Sequence, residues 1–456
     1  MHDKLSAALG LSKADYTEIR LEERDTTTVS FRGRELENAS SVIDAGGIVR
    51  CFRRDGGWGI VTFNSRDQLA EKVAQAYECA GNVKSETPIE LAPIPVVQDQ
   101  ITVTLEQDFR RVSLAEKKAL IESYNALMLG YSEQIVDTVS VYNDSFKHVT
   151  FANSEGTRIE EERPMVAVLC AAIARDGNDV QQAHESLSLP AGFEIAQNLE
   201  TLAQTSARRA VELLSAKSVV GGQYPVIINP QLAGVFIHEA FGHLSEADFI
   251  YENPAAREMM VLGRRFGQDF LNVFEDGATP GLRGTHKYDD EGTPTRRNDL
   301  IRNGILVGRL HSRETAARMG EQPTGNARAI SYRFPPIVRM TNTAIAPGES
   351  SFAEMIKDIE LGIYACDAYG GNTELEAFSF SSGYAYMIRH GELAEMVKDV
   401  ILAGNLFATL QNIDAIGNDF VWTQTGGGCG KGGQMPLPVA MGAPHVRIQN
   451  VVIGGA

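Results

Sequence analysis

Alternation and helical periodicity divide the chain into stretches of different texture. Residues 16–22 alternate as a strand does, with Ile19 and Leu21 on one face. The runs 48–52 and 58–63 flank Arg54-Asp55-Gly56-Gly57 and predict a hairpin within residues 47–63. Ser65 and Gln68 form a capping-box pattern that opens a helix to about Cys79. Residues 86–112 carry Pro88, Pro93 and Pro95 without a helical period, and read as a linker after a first unit of residues 1–85. Ser113 with Glu116 opens another helix, to about Leu129. Strands are expected at 137–143, 148–153 and 165–174, and a helix over 193–215 closes a middle unit, 113–218. From 219 to 456 the texture is glycine-rich with β-type runs at 224–228, 305–311, 337–342, 378–388 and 446–453. The pattern predicts an α/β (α+β) chain: N-terminal and middle α/β units and a larger, β-rich C-terminal domain.

Composition narrows the function classes. At roughly 150 residues per domain, 456 residues suggest a multidomain chain able to bury its own cores. The net charge is −17, from 42 basic and 59 acidic residues, which argues against a nucleic-acid partner that needs a basic face. No apolar run approaches the roughly 20 residues that span a bilayer, and the N-terminus lacks the basic and apolar regions of a signal peptide. Five cysteines, an odd number scattered along the chain, read as free thiols in a reducing compartment. The expectation is a cytoplasmic protein with no membrane partner.

The chemistry concentrates in the window from Asn229 to His243. Asn229 suits an N-cap and Pro230 the first helical position. Leu232, Val235 and Phe236 form a buried stripe. The helix then carries His238, Glu239 and His243. Zinc-peptidase helices place two His four apart, about 40° around the helix. Here they are five apart, about 140° on an ideal helix. Two readings follow: a helix-face His with a capping His, or a shared metal ion, reached through a wide π-type turn or by a helix that ends near Phe241 with His243 swinging back from the following turn. Gly242 is expected to permit that turn through its backbone freedom. A continuous α-helix through His243 would separate the imidazoles.

A second window, Thr425 to Gly433, has the glycine density of a phosphate loop but not its details. Thr425 stands where a P-loop needs Gly, and Gly432 where it needs Ser or Thr. Pro436 and Pro438 leave no helix N-terminus for a Rossmann-type site. Cys51, Cys79, Cys170 and Cys366 fall in core-like contexts. Cys429 has only glycine neighbours, and a thiolate there would complete a three-ligand set with the two His.

These residues carry a resemblance. His238-Glu239-Ala240-Phe241-Gly242-His243 with Glu246 and Asp248, the run 288–294, the run 336–343, the run 388–392 and the late Cys429 resemble the TldD branch of the TldD/PmbA family, also labelled modulator of DNA gyrase. The resemblance spans the chain and is sharpest from about 224 onward. It implies a zinc metallopeptidase acting on unfolded or extended peptides. It implies one zinc ion held by His238, His243 and Cys429, with Glu239 as the catalytic carboxylate. It also implies a homodimer, or a heterodimer with a TldE/PmbA-like chain that lacks the motif. The glycine-rich surroundings of Cys429 depart from the family pattern.

The alternative is a non-catalytic regulator whose acidic surface binds a topoisomerase or a toxin–antitoxin protein. Of the remaining polar groups, Asp289-Asp290-Glu291 read as a solvated turn. Glu246, Asp248 and His286 are the reserve metal ligands if Cys429 fails. Arg328 and Arg339 are candidates for holding a substrate carboxylate.

Overall fold

Two long strands, β1 (Tyr16–Arg32) and β2 (Glu35–Phe52), form the first hairpin in a computed structural model that describes residues 2–65, 67–83 and 88–454. Gly33, at φ 53°, takes the first position of their two-residue turn, where a side chain would be strained. β3 (Trp58–Phe63) continues on β2 as the expected second hairpin, with Phe52 opposite Trp58. β1 pairs on its other side with β5 (Ile135–Asn153), which pairs with β6 (Arg158–Asp176). With β4 (Gln98–Ile101) and β7 (Asp179–Leu189) pairing successive parts of β6 on the edge that β5 leaves open, the first 189 residues build one seven-stranded sheet. The two N-terminal units therefore share a sheet, and the proline-rich segment between them contributes β4, parallel to β6.

Helices cover one face of this sheet. α1 (His2–Leu9) and α2 (Leu69–Asn82) pack Leu5, Ala8, Val73 and Ala76 against Ile19, Leu21 and Val49. α2 starts later than the sequence pattern suggested. Gln68 stands at its N-cap at φ 57° with no capping bond, and the Ser65 hydroxyl turns to Asp67 instead. α3 (Leu114–Leu129) begins as expected, with Ser113 Oγ accepting from the Glu116 N–H at 3.2 Å. The long helix expected over 193–215 is split into a 3₁₀ turn, Phe193–Ala196, and α4 (Glu200–Ser215).

The opposite face of the sheet is also buried, and it is charged. Glu18, Arg20 and Glu22 alternate with Ile19 and Leu21 and are each under 5% exposed. They meet the C-terminal domain, where Arg20 pairs with Asp290 and donates to the Ser331 carbonyl. Asp289, Asp290 and Glu291, expected as a solvated turn, lie in this contact and are 3–5% exposed.

In the C-terminal domain, strands Leu361–Glu374, Gly222–Ile228, Val446–Gly454, Ile401–Asn405 and Ala377–Arg389 pair in that order, and the last pairs back on the first. Closure leaves this ring without a free edge along its paired segments. A second, six-stranded sheet includes Asn342–Ile345 and Ala440–Ala443. Two expected strands are shorter than their β-type runs: Ile305–Leu306, and Ile337–Val338 separated from Asn342–Ile345. The helix α5 (Pro230–Ile237) leaves strand Gly222–Ile228 and packs between the ring and the second sheet.

Candidate metal centre

α5 starts as its residues dictate. Asn229 Oδ1 accepts from the Leu232 N–H at 2.9 Å, and Pro230 fills the first turn, where no N–H is needed. Phe236 inserts against Phe378 and Phe380, with ring centroids 5.6 and 5.9 Å away. At His238 the helix widens into a π turn, His238–Gly242, followed by a 3₁₀ turn, His243–Ser245. The His243 N–H reaches back to the His238 carbonyl, five residues away. This is the break that the five-residue spacing required. Gly242 contributes differently from expectation. Its backbone is ordinary helix, φ −58° and ψ −51°. The glycine is needed for space, since a Cβ there would lie 2.1 Å from Met340 Sδ.

The π turn brings His238 and His243 together, with ring centroids 5.3 Å apart and planes at 77°. Cys429 arrives from a hairpin, Cys429–Lys431 with Gln434–Leu437. Its turn residues, Gly432 and Gly433, both have positive φ, which is the geometry a two-residue hairpin demands. The glycines of this window thus include a turn, not a phosphate loop. Cys429 Sγ lies 3.3 Å from His243 Nε2, and ligating atoms of the three residues fall within 4.8 Å of one another. A buried arginine holds the hairpin by its carbonyls: Arg339 donates to Cys429 at 2.7 Å and to Gln434 at 3.1 Å.

The electrostatics fit a cation. Burial pushes the Cys429 thiol up, but His238 and His243 outweigh it and bring the thiol down to about 5, so a thiolate faces the imidazoles. Burial lowers His243, but Glu246 and Cys429 raise it to about 11. Glu246 Oε2 lies 3.0 Å from His243 Nδ1. A carboxylate only accepts, so Nδ1 carries a proton toward Glu246; the second proton of the raised ring lies on Nε2 toward the thiolate, where a bound cation would displace it. His238 Nδ1 is buried with no hydrogen-bond partner among the described residues. A tight set of two imidazoles and a thiolate, one imidazole with an unmatched ring nitrogen, is the donor set of a three-ligand zinc site.

Glu239 stands beside this set, more exposed than the ligand-type residues, with Oε2 3.8 Å from His243 Nε2. It lines a cleft of about 280 Å³ together with Thr373, Leu375 and Lys431. The reserve ligands lie elsewhere in the scheme. Glu246 backs His243 and pairs with Lys431 at 3.0 Å, while Asp248 takes Lys431 at 2.6 Å. His286 belongs to a separate cavity, where Arg328 donates to its Nε2 at 3.1 Å. Sequence reasoning missed Lys431 and the orienting role of Glu246. The spacing of Glu246, three after His243, was the available signal.

This cluster gathers a helical His-Glu pair, a second His and a remote thiolate around one point, a donor set that could hold a metal ion. Comparison with known proteins gives the family. Models of the PmbA/TldA metallopeptidase match in three parts: domain 1 over residues 17–80, the central domain over 107–214 and the C-terminal domain over 221–455. The chain belongs to the PmbA/TldD metallopeptidase family. It is 49% identical over 445 residues to a metalloprotease of Synechocystis, covering 97% of this chain and 96% of that one. It is 37% identical to a metalloprotease of Methanocaldococcus jannaschii, covering 96% of each. It is 28% identical to the zinc metalloprotease TldD homolog of Saccharolobus solfataricus, covering 99% and 98%. Among solved structures, TldE from Thermococcus kodakarensis shares the fold with a TM-score of 0.78 at 18% identity, covering 100% of both chains. The putative modulator of a DNA gyrase from Thermotoga maritima gives 0.81 at 20%, covering 99% of both. No helix among the described residues is long and apolar enough to cross a membrane.

Proposed function

We propose that the chain is a zinc-dependent peptidase that hydrolyses extended peptides, with His238, His243 and Cys429 holding one ion and Glu239 as the general base. The observation that carries this reading is the convergence of those three residues through the π turn, with Glu239 at the rim of the cleft. When bound, the ion supplies Lewis-acid chemistry at the scissile carbonyl. Glu239 takes a proton from the attacking water and returns it to the leaving amine. Glu246 keeps the His243 ring oriented.

The extended substrate form is supported by strand Leu361–Glu374. Its Asn372 and Thr373 pair with Ser379 and Phe378 on one side and line the cleft on the other. A peptide main chain added along that edge would be read without regard to side chains. We read the chain as a cytoplasmic homodimer or a heterodimer with a TldE/PmbA-like partner, organised as units 1–85, 113–218 and 219–456 around the 86–112 linker. The test is Glu239→Gln. It should retain about one zinc per chain by elemental analysis and lose about 10²–10⁴-fold in turnover on a peptide library read by mass spectrometry. Near-normal turnover would remove Glu239 from the mechanism. Absence of zinc from the parent protein, even after it is supplied, would favour the regulator.

A further inference from the structure

A separate cavity of about 480 Å³ opens between strands β5 and β6 and the loops of the C-terminal domain. It reaches the Cys429 hairpin through Gly427 and Leu437. Its volume falls in the range of small-ligand sites, about 300–1,000 Å³. One part of its wall is apolar, including Met165, Leu282, Ile330 and Leu437. The rest is dominated by cations whose charge is incompletely matched. Arg163 is paired, to Glu161 at 2.6 Å and Asp290 at 3.2 Å, and Lys147 has Glu22 only at 3.6 Å.

Three other lining guanidiniums donate to backbone carbonyls. Arg24 reaches Ile330 at 3.1 Å, Arg283 reaches Gly427 at 2.6 Å, and Arg328 reaches Pro438 at 2.8 Å. None of the three forms an ion pair among the described residues. A carbonyl satisfies a donor but carries only partial charge, so a buried positive field remains. In keeping with this, burial pushes Arg283 and Arg328 down to about 10 and Lys147 down to about 8. Of the two arginines that the sequence offered for a carboxylate, Arg339 is committed to the hairpin, whereas Arg328 lines this cavity.

We propose that the cavity binds the terminal carboxylate of a peptide, with Arg24, Lys147 and Arg328 facing the charge and the apolar wall taking the last side chain. The choice of a peptide end rests on the peptidase reading. Inorganic phosphate would satisfy the charge but not the apolar wall. The test is calorimetric titration of the full chain with N-acetyl-leucine, its amide N-acetyl-leucinamide and inorganic phosphate. The free acid should bind, and the amide should bind about tenfold or more weakly. Arg24→Gln and Lys147→Met should each remove most of that preference while leaving amide binding unchanged. Arg24 is half-buried, so its variant keeps the test informative if Lys147→Met unfolds. Equal binding of acid and amide, no binding of either, or tighter binding of phosphate than of the acid would overturn the proposal. Acid binding without any peptide hydrolysis would support the site and remove the peptidase reading. Hydrolysis without acid preference would do the reverse.

Discussion

The metal centre and the contact between the N-terminal sheet and the C-terminal domain both bury ionisable groups, but they resolve the cost in opposite ways. At the contact, charges are matched inside the protein. Arg20 meets Glu22 and Asp290, each at 3.2 Å, and Arg50 meets Glu18 at 3.3 Å and Glu291 at 3.2 Å. At the centre, two imidazoles and a thiolate converge, and His238 keeps a buried ring nitrogen without a partner among the described residues. The first arrangement fixes how two bodies dock. The second leaves donors directed at a point that a cation would fill. Desolvated ion pairs add little net stability compared with apolar packing, yet removing one member is costly. The two regions should therefore fail differently when one residue is taken away.

The largest effect is expected at the centre. Cys429→Ala should abolish stoichiometric zinc binding and peptide hydrolysis while leaving the thermal unfolding of the zinc-free chain little changed. Cys79→Ala should change neither, since that thiol is exposed and not packed as its sequence context suggests. Elemental analysis of the two variants side by side is the measurement. Full zinc occupancy in Cys429→Ala would assign the third ligand elsewhere.

At the contact the expected loss is in stability. Arg20→Met removes a cation shared by Asp290 and Glu22, each under 6% exposed, and leaves them Arg163 at 3.2 Å and Lys147 at 3.6 Å. The cost should be about 3–5 kcal/mol, read by urea unfolding. Zinc uptake of the fraction that remains folded should be unchanged, because the charges removed do not touch the His–His–Cys set. A loss under about 1 kcal/mol, the range of a surface pair, would show that water reaches the contact.

A smaller effect links the two kinds of burial. Glu246 is a buried carboxylate paired with Lys431, as at the contact, but it also orients a ligand-type imidazole. Glu246→Gln keeps the shape and weakens the hold on the His243 ring. Zinc affinity should fall about 10–100-fold, measured by competition with a chelator, with hydrolysis recovering at higher zinc.

The same contrast explains what the sequence revealed. Five-residue spacing is local information, and an ideal helix cannot bring those two His together, so a shared ion implies a break in the helix, by a π turn or by an end near Phe241; the structure takes the π turn. Asn229, Pro230 and Ser113 act through bonds within three residues, and they cap as their types predict. The partnership with Cys429 spans 186 residues: thiolate chemistry makes it a candidate and the family resemblance selects it, since glycine neighbours say nothing about distance in space. The charged contact was misread for a related reason. Period-two alternation in Glu18–Glu22 distinguishes apolar from polar faces, but it does not reveal that another domain covers the polar one. Asp290 and Glu291 look like part of a solvated turn because their partners, Arg20 and Arg163 for the first and Arg50 for the second, lie more than 100 residues away, and Asp289 because backbone N–H groups satisfy it. Gly242 was read for its backbone freedom, whereas the determining fact is Met340 packed against it.

The smallest effect is a pH dependence that separates the contact from the centre. Burial pushes the Asp290 carboxyl up, but Arg20, Arg163 and Lys147 together more than reverse this and hold it well below the usual carboxylate range. An unfolded aspartate titrates near 3.9, at about its reference value. Between that value and the lower folded one, the unfolded chain binds more protons than the folded chain. Stability contributed by Asp290 is therefore complete above the unfolded value and declines as pH falls toward the folded one. The slope from this one group cannot exceed about 1.4 kcal/mol per pH unit. Asp290→Asn removes the titration, so its unfolding free energy should fall less steeply below pH 4 (on the order of one proton less), although the variant is less stable at neutral pH. Urea unfolding of both proteins in parallel over that range, with zinc chelated so that the centre does not contribute, gives the comparison. Identical slopes would mean that Asp290 is not held in its charged form by the three cations, and that the contact is closed by packing more than by charge.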